Sequence, residues 1–339
     1  MNRKDFLSSI IPLAAVTTVA GNPKKRSEED SVKVPAYLKQ GDAIGITSPS
    51  GFITHEQIQP AVNKLKEWGF NVTAGNTIGK RDFSFGGTDI ERAVDLQQML
   101  DDRNIKAILF ARGGYGAVRI IDELDFTDFK KRPKWLIGFS DATVFHSHVH
   151  QNFDIASIHS KMCNSFPDDW NKADAAQVET INSIRKCLIG ETMEYFSSAH
   201  EKNRLGNAEG ILIGGNLSIL QNLSGTPSDI KTKNKILFVE DTGENLYSID
   251  RMFRNLKRTG KLDKLNGLII GGFKVKPDDA GEEFGRNVYE IVTELVKEFN
   301  YPVCFDFPVG HQRNHYALKC GIKHLLNVTT EKTTLKEIT

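Results

Sequence analysis

The chain has 339 residues, which is long enough for two domains that each bury a core. Its 44 basic side chains nearly balance its 43 acidic ones, and no basic stripe is present, so nucleic acid is not an expected partner. The four cysteines form no Cys-x-x-Cys pair, which argues against a zinc ribbon or a redox dithiol. Isolated buried thiols are the expectation, with a disulfide left open.

The first residues have the three parts of a secretory signal. Basic charge at Arg3 and Lys4 precedes an apolar run at 10–20, which ends in small residues and is too short to be a stable membrane anchor. Residues 3–7 also resemble a twin-arginine signal with Lys4 in place of the second arginine. We therefore expect 1–31 to be a signal peptide and disordered start, and the protein to be exported to the periplasm, or cytoplasmic if the leader is not functional.

Apolar strands alternate with amphipathic helices from residue 42 to residue 158. This alternation predicts a parallel, doubly wound sheet and an N-terminal α/β domain at 32–165. The predicted strands are 42–47, 70–73, 107–110, 135–137 and 155–158, and the predicted helices are 55–68, one starting at Thr88 and running through Leu100, one through Val118 and Leu124, and 142–149.

A glycine-rich loop, Arg112-Gly113-Gly114-Tyr115-Gly116, follows the strand at 107–110. Glycines there let the backbone approach a ligand at the carboxyl end of the strand, where open α/β sheets bind their ligands. A nucleotide-binding loop is the obvious rival. The spacing is not Gly-x-Gly-x-x-Gly, and the lysine and hydroxyl residue of a P-loop are missing, so nucleotide binding is not favoured.

Ser140 lies on the turn between the strand at 135–137 and the helix at 142–149. Such a turn places the hydroxyl at a helix N-terminus, where free N–H groups and the helix dipole can stabilise an oxyanion. The segment Gly138-Phe139-Ser140-Asp141-Ala142 lacks the second glycine of the usual Gly-x-Ser-x-Gly nucleophile turn, so a helix-capping role stays open. This turn and the glycine-rich loop leave consecutive strands at the same sheet edge and could face one pocket.

The regular alternation is lost after residue 164, and we interpret 166–206 as a linker that contains a helix at 173–189. A second, mixed α/β domain is predicted at 207–339. Its predicted strands are 209–213, 235–239 and 302–305, and its predicted helices are 217–223, capped by Gly214-Gly215-Asn216, and one through Ile249 and Leu256.

Two ionisable residues of this second domain, Glu240 and His311, come shortly after predicted strands. A serine hydroxyl needs a neighbouring base, and an imidazole serves best when a carboxylate fixes its tautomer. Ser140, His311 and Glu240 supply these three groups. Each alone has a structural reading, Glu240 as a helix cap and His311 as a surface histidine, and spacing does not bring them together.

Five motifs occur in the order seen in the LD-carboxypeptidase family, the muramoyltetrapeptide carboxypeptidases, and the chain resembles that family from about residue 32 to residue 328. The resemblance implies a Ser-His-Glu peptidase with its active site between two domains, and no cofactor. Ser140 would be the nucleophile, His311 the base and Glu240 the orienting carboxylate, rather than Glu244 or His315. The motifs are Arg112-Gly113-Gly114-Tyr115-Gly116, Gly138-Phe139-Ser140-Asp141-Ala142-Thr143, Gly214-Gly215-Asn216-Leu217, Glu240-Asp241 with Ile249-Asp250-Arg251, and Gly310-His311.

The resemblance also implies an oxyanion hole and a substrate. The N–H of Asp141 would act with that of Gly113 or Gly114, and Arg112 is a candidate for binding the substrate carboxylate. The implied reaction releases the terminal D-alanine from peptidoglycan tetrapeptide stems, and the implied assembly is a homodimer. The chain departs from the family at His159-Ser160-Lys161-Met162, where relatives often have His-Gly-Pro-Met, so that Lys161 adds a charge near the expected site.

Three other functions are alternatives to this one. An exported two-domain binding protein would fit the leader and two α/β lobes but would not require the three catalytic residues together. A related branch of the family hydrolyses a peptide-nucleotide antibiotic and carries a longer insertion in the linker region. Metal-dependent hydrolysis is not favoured, because His146 and His150 are spaced like zinc ligands but lack the intervening glutamate.

Overall fold

The structure is a computed structural model that describes residues 32–338. The expected signal peptide and disordered start at 1–31 lie outside the described residues. Every helix within the described range is too short or too polar to cross a membrane.

Residues 32–338 contain thirteen strands and nine α-helices, numbered here in chain order. The strands are β1 Ala43–Thr47, β2 Asn71–Ala74, β3 Ile105–Phe110, β4 Trp135–Gly138, β5 Ser157–His159, β6 Glu194–Ser198, β7 Gly206–Asn216, β8 Ile236–Glu244, β9 Gly267–Val275, β10 Val303–Cys304, β11 Leu318–Cys320, β12 Lys323–Val328 and β13 Lys332–Glu337. The helices are α1 His55–Glu67, α2 Asp89–Asp101, α3 Ala117–Ile120, α4 Thr127–Lys131, α5 Thr143–Phe153, α6 Ala175–Leu188, α7 Leu217–Asn222, α8 Leu246–Arg258 and α9 Val288–Leu295.

The first sheet has the strand order β11-β5-β4-β3-β1-β2. Its five N-terminal strands are parallel, and β11 joins β5 antiparallel at the edge. Along β3, Ala107 and Leu109 face one core cluster with α1 and α6, whereas Ile108 and Phe110 face another with α2 and α5. Helices therefore cover both faces of the sheet, which confirms the predicted doubly wound arrangement.

The second sheet has the order β10-β9-β8-β7-β12-β13-β6. Strands β7 to β10 are parallel, and β12, β13 and β6 extend the sheet as antiparallel strands, which confirms the predicted mixed α/β architecture. One face packs on α7, α8 and α9. The other face contributes Leu212, Phe238 and Ile269 to the cluster that also contains Ala107 and Leu109 of β3, so one core joins the two sheets.

The division into 32–165, 166–206 and 207–339 stays a prediction, but the structure shows how closely these parts are joined. Strand β6, from the segment interpreted as a linker, pairs with β13 in the second sheet. Strand β11, from the C-terminal part, pairs with β5 in the first sheet. The helix predicted at 173–189 is α6, and its Ile181 and Ile184 are buried in the shared core.

Two helix starts follow from their capping residues. The Thr88 side chain accepts a hydrogen bond from the Glu91 N–H at the start of α2, and the Glu91 carboxylate accepts one from the Thr88 N–H. The Asn216 side chain accepts a bond from the Ile219 N–H at the start of α7. Both caps were predicted from sequence, because they depend only on residues within one turn.

All four cysteines are free and buried, which confirms the isolated-thiol interpretation. Burial raises the pKa of both Cys187 and Cys320 to about 12. These thiols are therefore protonated and unreactive at neutral pH.

A buried ion pair links the two sheets near the C-terminus. Lys319 of β11 donates to both Glu337 carboxylate oxygens, at 2.9 and 3.2 Å, and to the carbonyl of Glu191 at 2.9 Å. The Lys319 side chain is fully buried. Lys319→Met should therefore lower the free energy of unfolding by about 3–5 kcal/mol, because the buried Glu337 carboxylate is left without its cation.

Urea denaturation followed by circular dichroism measures this change. The double variant Lys319→Met/Glu337→Gln should regain at least half of the loss, because the unpaired charge is removed with its partner. A double variant no more stable than Lys319→Met would contradict this account of the pair.

Candidate active site

Ser140 begins a short 3-10 turn, Ser140–Ala142, between β4 and α5. Its φ is +60°, in the left-handed region that non-glycine residues seldom adopt. The residues two positions before and after Ser140 must be small, since a Cβ on Gly138 would lie 2.9 Å from the Phe110 side chain and 3.1 Å from the Ala142 Cβ. The chain thus forms a strained strand-turn-helix at Ser140, with Ala142 where the usual motif has its second glycine.

The glycine-rich loop lies directly against this turn. A Cβ on Gly113 would lie 3.4 Å from the Ser140 Cβ and 3.5 Å from its Oγ, so only glycine leaves the hydroxyl uncovered on that side. Gly114, with a φ of +112°, approaches the backbone of Gly51 instead. Arg112 is exposed, and its Nη1 donates to the Phe52 carbonyl at 3.0 Å.

Asp141 contributes differently through its backbone and through its side chain. The first hydrogen bond of the 3-10 turn runs from the Ala142 N–H to the Phe139 carbonyl. The Asp141 N–H comes one residue earlier, so it has no hydrogen-bond partner within the turn. Its buried carboxylate accepts bonds from the Ser50 hydroxyl at 2.5 Å and the Ala117 N–H at 2.8 Å. Burial raises the pKa of this carboxyl group. The side chain therefore braces the loops around the turn.

Glu240 and His311 form a close pair on the second sheet. His311 Nδ1 lies 2.6 Å from Glu240 Oε2, and the His311 backbone N–H donates to the same oxygen at 3.2 Å. The Glu240 side chain is fully buried, whereas that of His311 is 17% exposed. An ionised carboxylate only accepts, so Nδ1 carries the proton and Nε2 is left free to accept one.

The backbone around the pair explains its geometry. Glu240 was predicted to follow the end of a strand at 235–239, but β8 continues to Glu244, and its register with β9 shifts between Val239 and Asp241. A bulge of this kind re-aims a side chain. Gly310 has a φ of +102°, and a Cβ there would lie 2.7 Å from Glu240 Oε2, so the loop before His311 requires glycine.

The two halves meet around Phe139, the residue before Ser140. The Phe139 ring centroid lies 4.8 Å from that of His311. Nearby, the Asn216 N–H donates to Thr143 Oγ1 at 3.0 Å, which ties the end of β7 to the start of α5. The hydrogen bonds of residues 32–338 include none between the Ser140 hydroxyl and His311. Such bonds often tighten only when substrate binds.

Three further residues surround the pair, and sequence reasoning gave them no role. His159 Nε2 lies 3.9 Å from Glu240 Oε1, and His159 Nδ1 lies 3.1 Å from His315 Nε2. Burial lowers the pKa of both histidines well below the usual value, so both are neutral. Lys161 donates to the Gln312 carbonyl at 2.9 Å. The signal available in the sequence was the position of His159 and Lys161 at and just beyond the end of strand β5, and of His315 just beyond His311.

Comparison with known proteins finds similarity over most of the chain. Residues 44–160 match the LD-carboxypeptidase N-terminal domain, and residues 209–326 match the LD-carboxypeptidase C-terminal domain. A probable murein peptide carboxypeptidase of Bacillus subtilis is 33% identical over 308 residues, which cover 89% of this chain and 94% of that protein. The crystal structure of muramoyltetrapeptide carboxypeptidase from Oxalobacter formigenes has a TM-score of 0.76 at 27% identity, over 88% of this chain and 99% of that one.

A relative with a different name is also similar over most of its length. The microcin C7 self-immunity protein MccF of Escherichia coli is 26% identical over 330 residues, which cover 89% of this chain and 95% of that protein.

Gly310→Ala should lower kcat for peptide hydrolysis about 100-fold, because the added Cβ pushes Glu240 and His311 apart and a displacement near 1 Å can cost that much. The measurement is steady-state kinetics on purified protein, with thermal unfolding to confirm the fold. Gly225→Ala is the matched control. Gly225 has a φ of +81°, so its alanine carries similar backbone strain, but its Cβ would meet no atom within 4 Å. Equal losses in both variants would contradict this role for Gly310.

Proposed function

The chain belongs to the LD-carboxypeptidase family of serine peptidases, and we propose that it releases the terminal D-alanine from murein tetrapeptide stems through a Ser140-His311-Glu240 triad. The observation that carries this proposal is the bond between His311 Nδ1 and the buried Glu240 carboxylate. It leaves His311 Nε2 as a base, and the His311 ring packs beside the ring of Phe139, the residue before the strained turn at Ser140.

In the proposed reaction, His311 Nε2 takes the Ser140 hydroxyl proton while Oγ attacks the scissile carbonyl carbon. The resulting oxyanion accepts hydrogen bonds from the Asp141 N–H and the Gly113 N–H. His311 then gives its proton to the D-alanine nitrogen, the C–N bond breaks, and the remaining peptide is held as an ester on Ser140. Water attacks that ester, His311 takes its proton, and the proton returns to Oγ as the peptide acid leaves.

Glu240 stays hydrogen-bonded to His311 throughout this cycle. Its two bonds from His311 hold the ring in one orientation, and its charge stabilises the imidazolium that forms between the two proton transfers. No metal or cofactor is required by this scheme.

Ser140→Ala should abolish D-alanine release from a purified murein tetrapeptide, and Glu240→Gln should lower kcat by about 10⁴-fold because the tautomer and charge of His311 are no longer supported. Chromatography of released D-alanine measures both. Glu244→Gln is the matched control, since Glu244 lies on the same strand but makes no side-chain hydrogen bond within residues 32–338. Release by Ser140→Ala at the wild-type rate would exclude Ser140 as the nucleophile.

Two other functions, antibiotic hydrolysis and ligand binding without catalysis, are tested with the same purified protein. The resemblance to MccF favours a test with an aminoacyl sulfamoyl nucleoside. Structures of that protein hold two such compounds, aspartyl sulfamoyl adenosine and glutamyl sulfamoyl guanosine. Cleavage of such a compound alone would favour the antibiotic-hydrolysing branch. Tight binding of the tetrapeptide by wild-type protein without any cleavage would favour a binding protein.

We further propose that the protein is exported to the periplasm and acts there on stem peptides as a homodimer. The basic start and apolar run of residues 1–20 support export, and the dimer rests on the family resemblance. Cell fractionation should find the full chain in the periplasm and a chain of residues 32–339 in the cytoplasm. Both chains in the same fraction would contradict export, and a monomer mass by light scattering would contradict the dimer.

A further inference from the structure

Lys161 follows strand β5 at the carboxyl edge of the first sheet, where Ser140 follows strand β4. Strands β4 and β5 are parallel, with Gly138 opposite His159, and the Ser160 N–H donates to the Gly138 carbonyl at 3.0 Å. Both strands end at this pair, so Ser140, two residues beyond β4, and Lys161, two residues beyond β5, leave the same edge of the sheet from neighbouring strands. Lys161 therefore lies at the sheet edge that carries the proposed nucleophile.

The Lys161 ammonium group lies between the nucleophile turn and the loop of the base. Its Nζ donates to the carbonyl of Gln312, the residue after His311, and lies 5.0 Å from the centroid of the Phe139 ring. An ammonium group has three N–H donors, and the hydrogen bonds of residues 32–338 assign an acceptor to only one of them. Two donors remain for a ligand.

This cation is half-buried but has no salt bridge within the part of the chain that the structure describes. The acidic group whose charge acts on Lys161 is Glu240, but the Glu240 carboxylate is already hydrogen-bonded to His311. A partly buried charge without a partner is costly, so the arrangement favours an anion that arrives from outside.

The proposed reaction brings such an anion to this position. His311 protonates the nitrogen of the leaving D-alanine, and the carboxylate of that residue is only two bonds from the same nitrogen. Lys161 is bonded to the carbonyl of Gln312, the residue after His311. Its ammonium group is therefore close to where the carboxylate of the leaving D-alanine arrives. Resting on the proposed function, we propose that Lys161 binds the free C-terminal carboxylate of the substrate and so restricts cleavage to the last peptide bond.

Two other cations could compete for this role. Arg112 was the candidate from sequence, but it is exposed and donates to the Phe52 carbonyl. Lys274 of β9 is exposed as well, and its charge acts on Lys161. Neither is held by a hydrogen bond to the His311 loop within residues 32–338, whereas Lys161 is.

The pH dependence of this binding follows from the surroundings of Lys161. Burial lowers its pKa to about 8, Lys274 acts in the same direction, and Glu240 opposes both. The other titratable neighbours are His159, His311 and His315. Lys161 is charged below that pKa, so carboxylate binding is strongest well below pH 8 and is lost as the pH rises through it. KM for the tetrapeptide should rise above pH 8, and KM for a substrate without the carboxylate should not.

The test compares kcat/KM for a murein tetrapeptide with that for its C-terminal amide. Wild-type enzyme should prefer the free acid by at least about tenfold. Lys161→Met should lower kcat/KM for the acid by about 10–100-fold, the usual value of a charge-assisted hydrogen bond, and change that for the amide by less than about twofold. Lys274→Met is the control and should keep the wild-type preference.

Each other outcome overturns a specific part of the argument. Equal losses on acid and amide would show that Lys161 supports the His311 loop rather than binding the carboxylate. An unchanged preference in Lys161→Met would also overturn the proposal, and loss of preference in Arg112→Met instead would assign the role to Arg112. Wild-type protein that cleaves neither compound would overturn the proposed function and, with it, the role of Lys161.

Discussion

The hydrogen bond between His311 and the buried Glu240 carboxylate is the interaction on which the rest of the site depends. Removing a carboxylate from water costs several kcal/mol unless hydrogen bonds and charge compensate. Here Oε2 accepts from both the ring and the backbone N–H of His311, so the loop carrying the base is held by the same oxygen that orients the ring. The bulge in β8 and the positive φ of Gly310 both serve this one contact.

The fold delivers the parts of the site from two sheets that share a core. Ser140 and the glycine-rich loop leave the carboxyl edge of the first sheet, and Glu240 lies on the second. The shared apolar cluster and the bond between Thr143 and Asn216 hold these edges together. Because β11 belongs to the C-terminal part but pairs in the first sheet, the two halves are joined through the backbone as well. A catalytic arrangement split between sheets needs this kind of rigid connection.

Local features of the fold were predictable from sequence, and long-range ones were not. The strand-helix alternation, the turn at Ser140 and the cap at Asn216 each depend on residues within a few positions of one another. The pairing of β6 with β13 joins segments more than a hundred residues apart, and no periodicity encodes it. The end of β8 was placed too early because the apolar run stops at Val239, while pairing with β9 carries the strand on through polar residues.

The proposed catalytic residues of the candidate site could be predicted from sequence, but the contacts between them could not. The family resemblance identified Ser140, Glu240 and His311 by their motifs, but only coordinates bring Glu240 to His311. Lys161 was recognised as a departure from the family pattern, yet its place at the same sheet edge as Ser140 depends on the pairing of β4 with β5, and its bond to Gln312 crosses 151 positions of chain. His159 and His315 required the fold for the same reason.

The most direct test of the central claim is a crystal structure of the protein with a stem peptide in which a boronic acid replaces the scissile carbonyl. The account predicts a bond from boron to Ser140 Oγ, His311 Nε2 within hydrogen-bond reach of that oxygen, and Glu240 still bonded to Nδ1. Boron bound to another residue, or His311 turned away from Ser140 with the inhibitor in place, would contradict it.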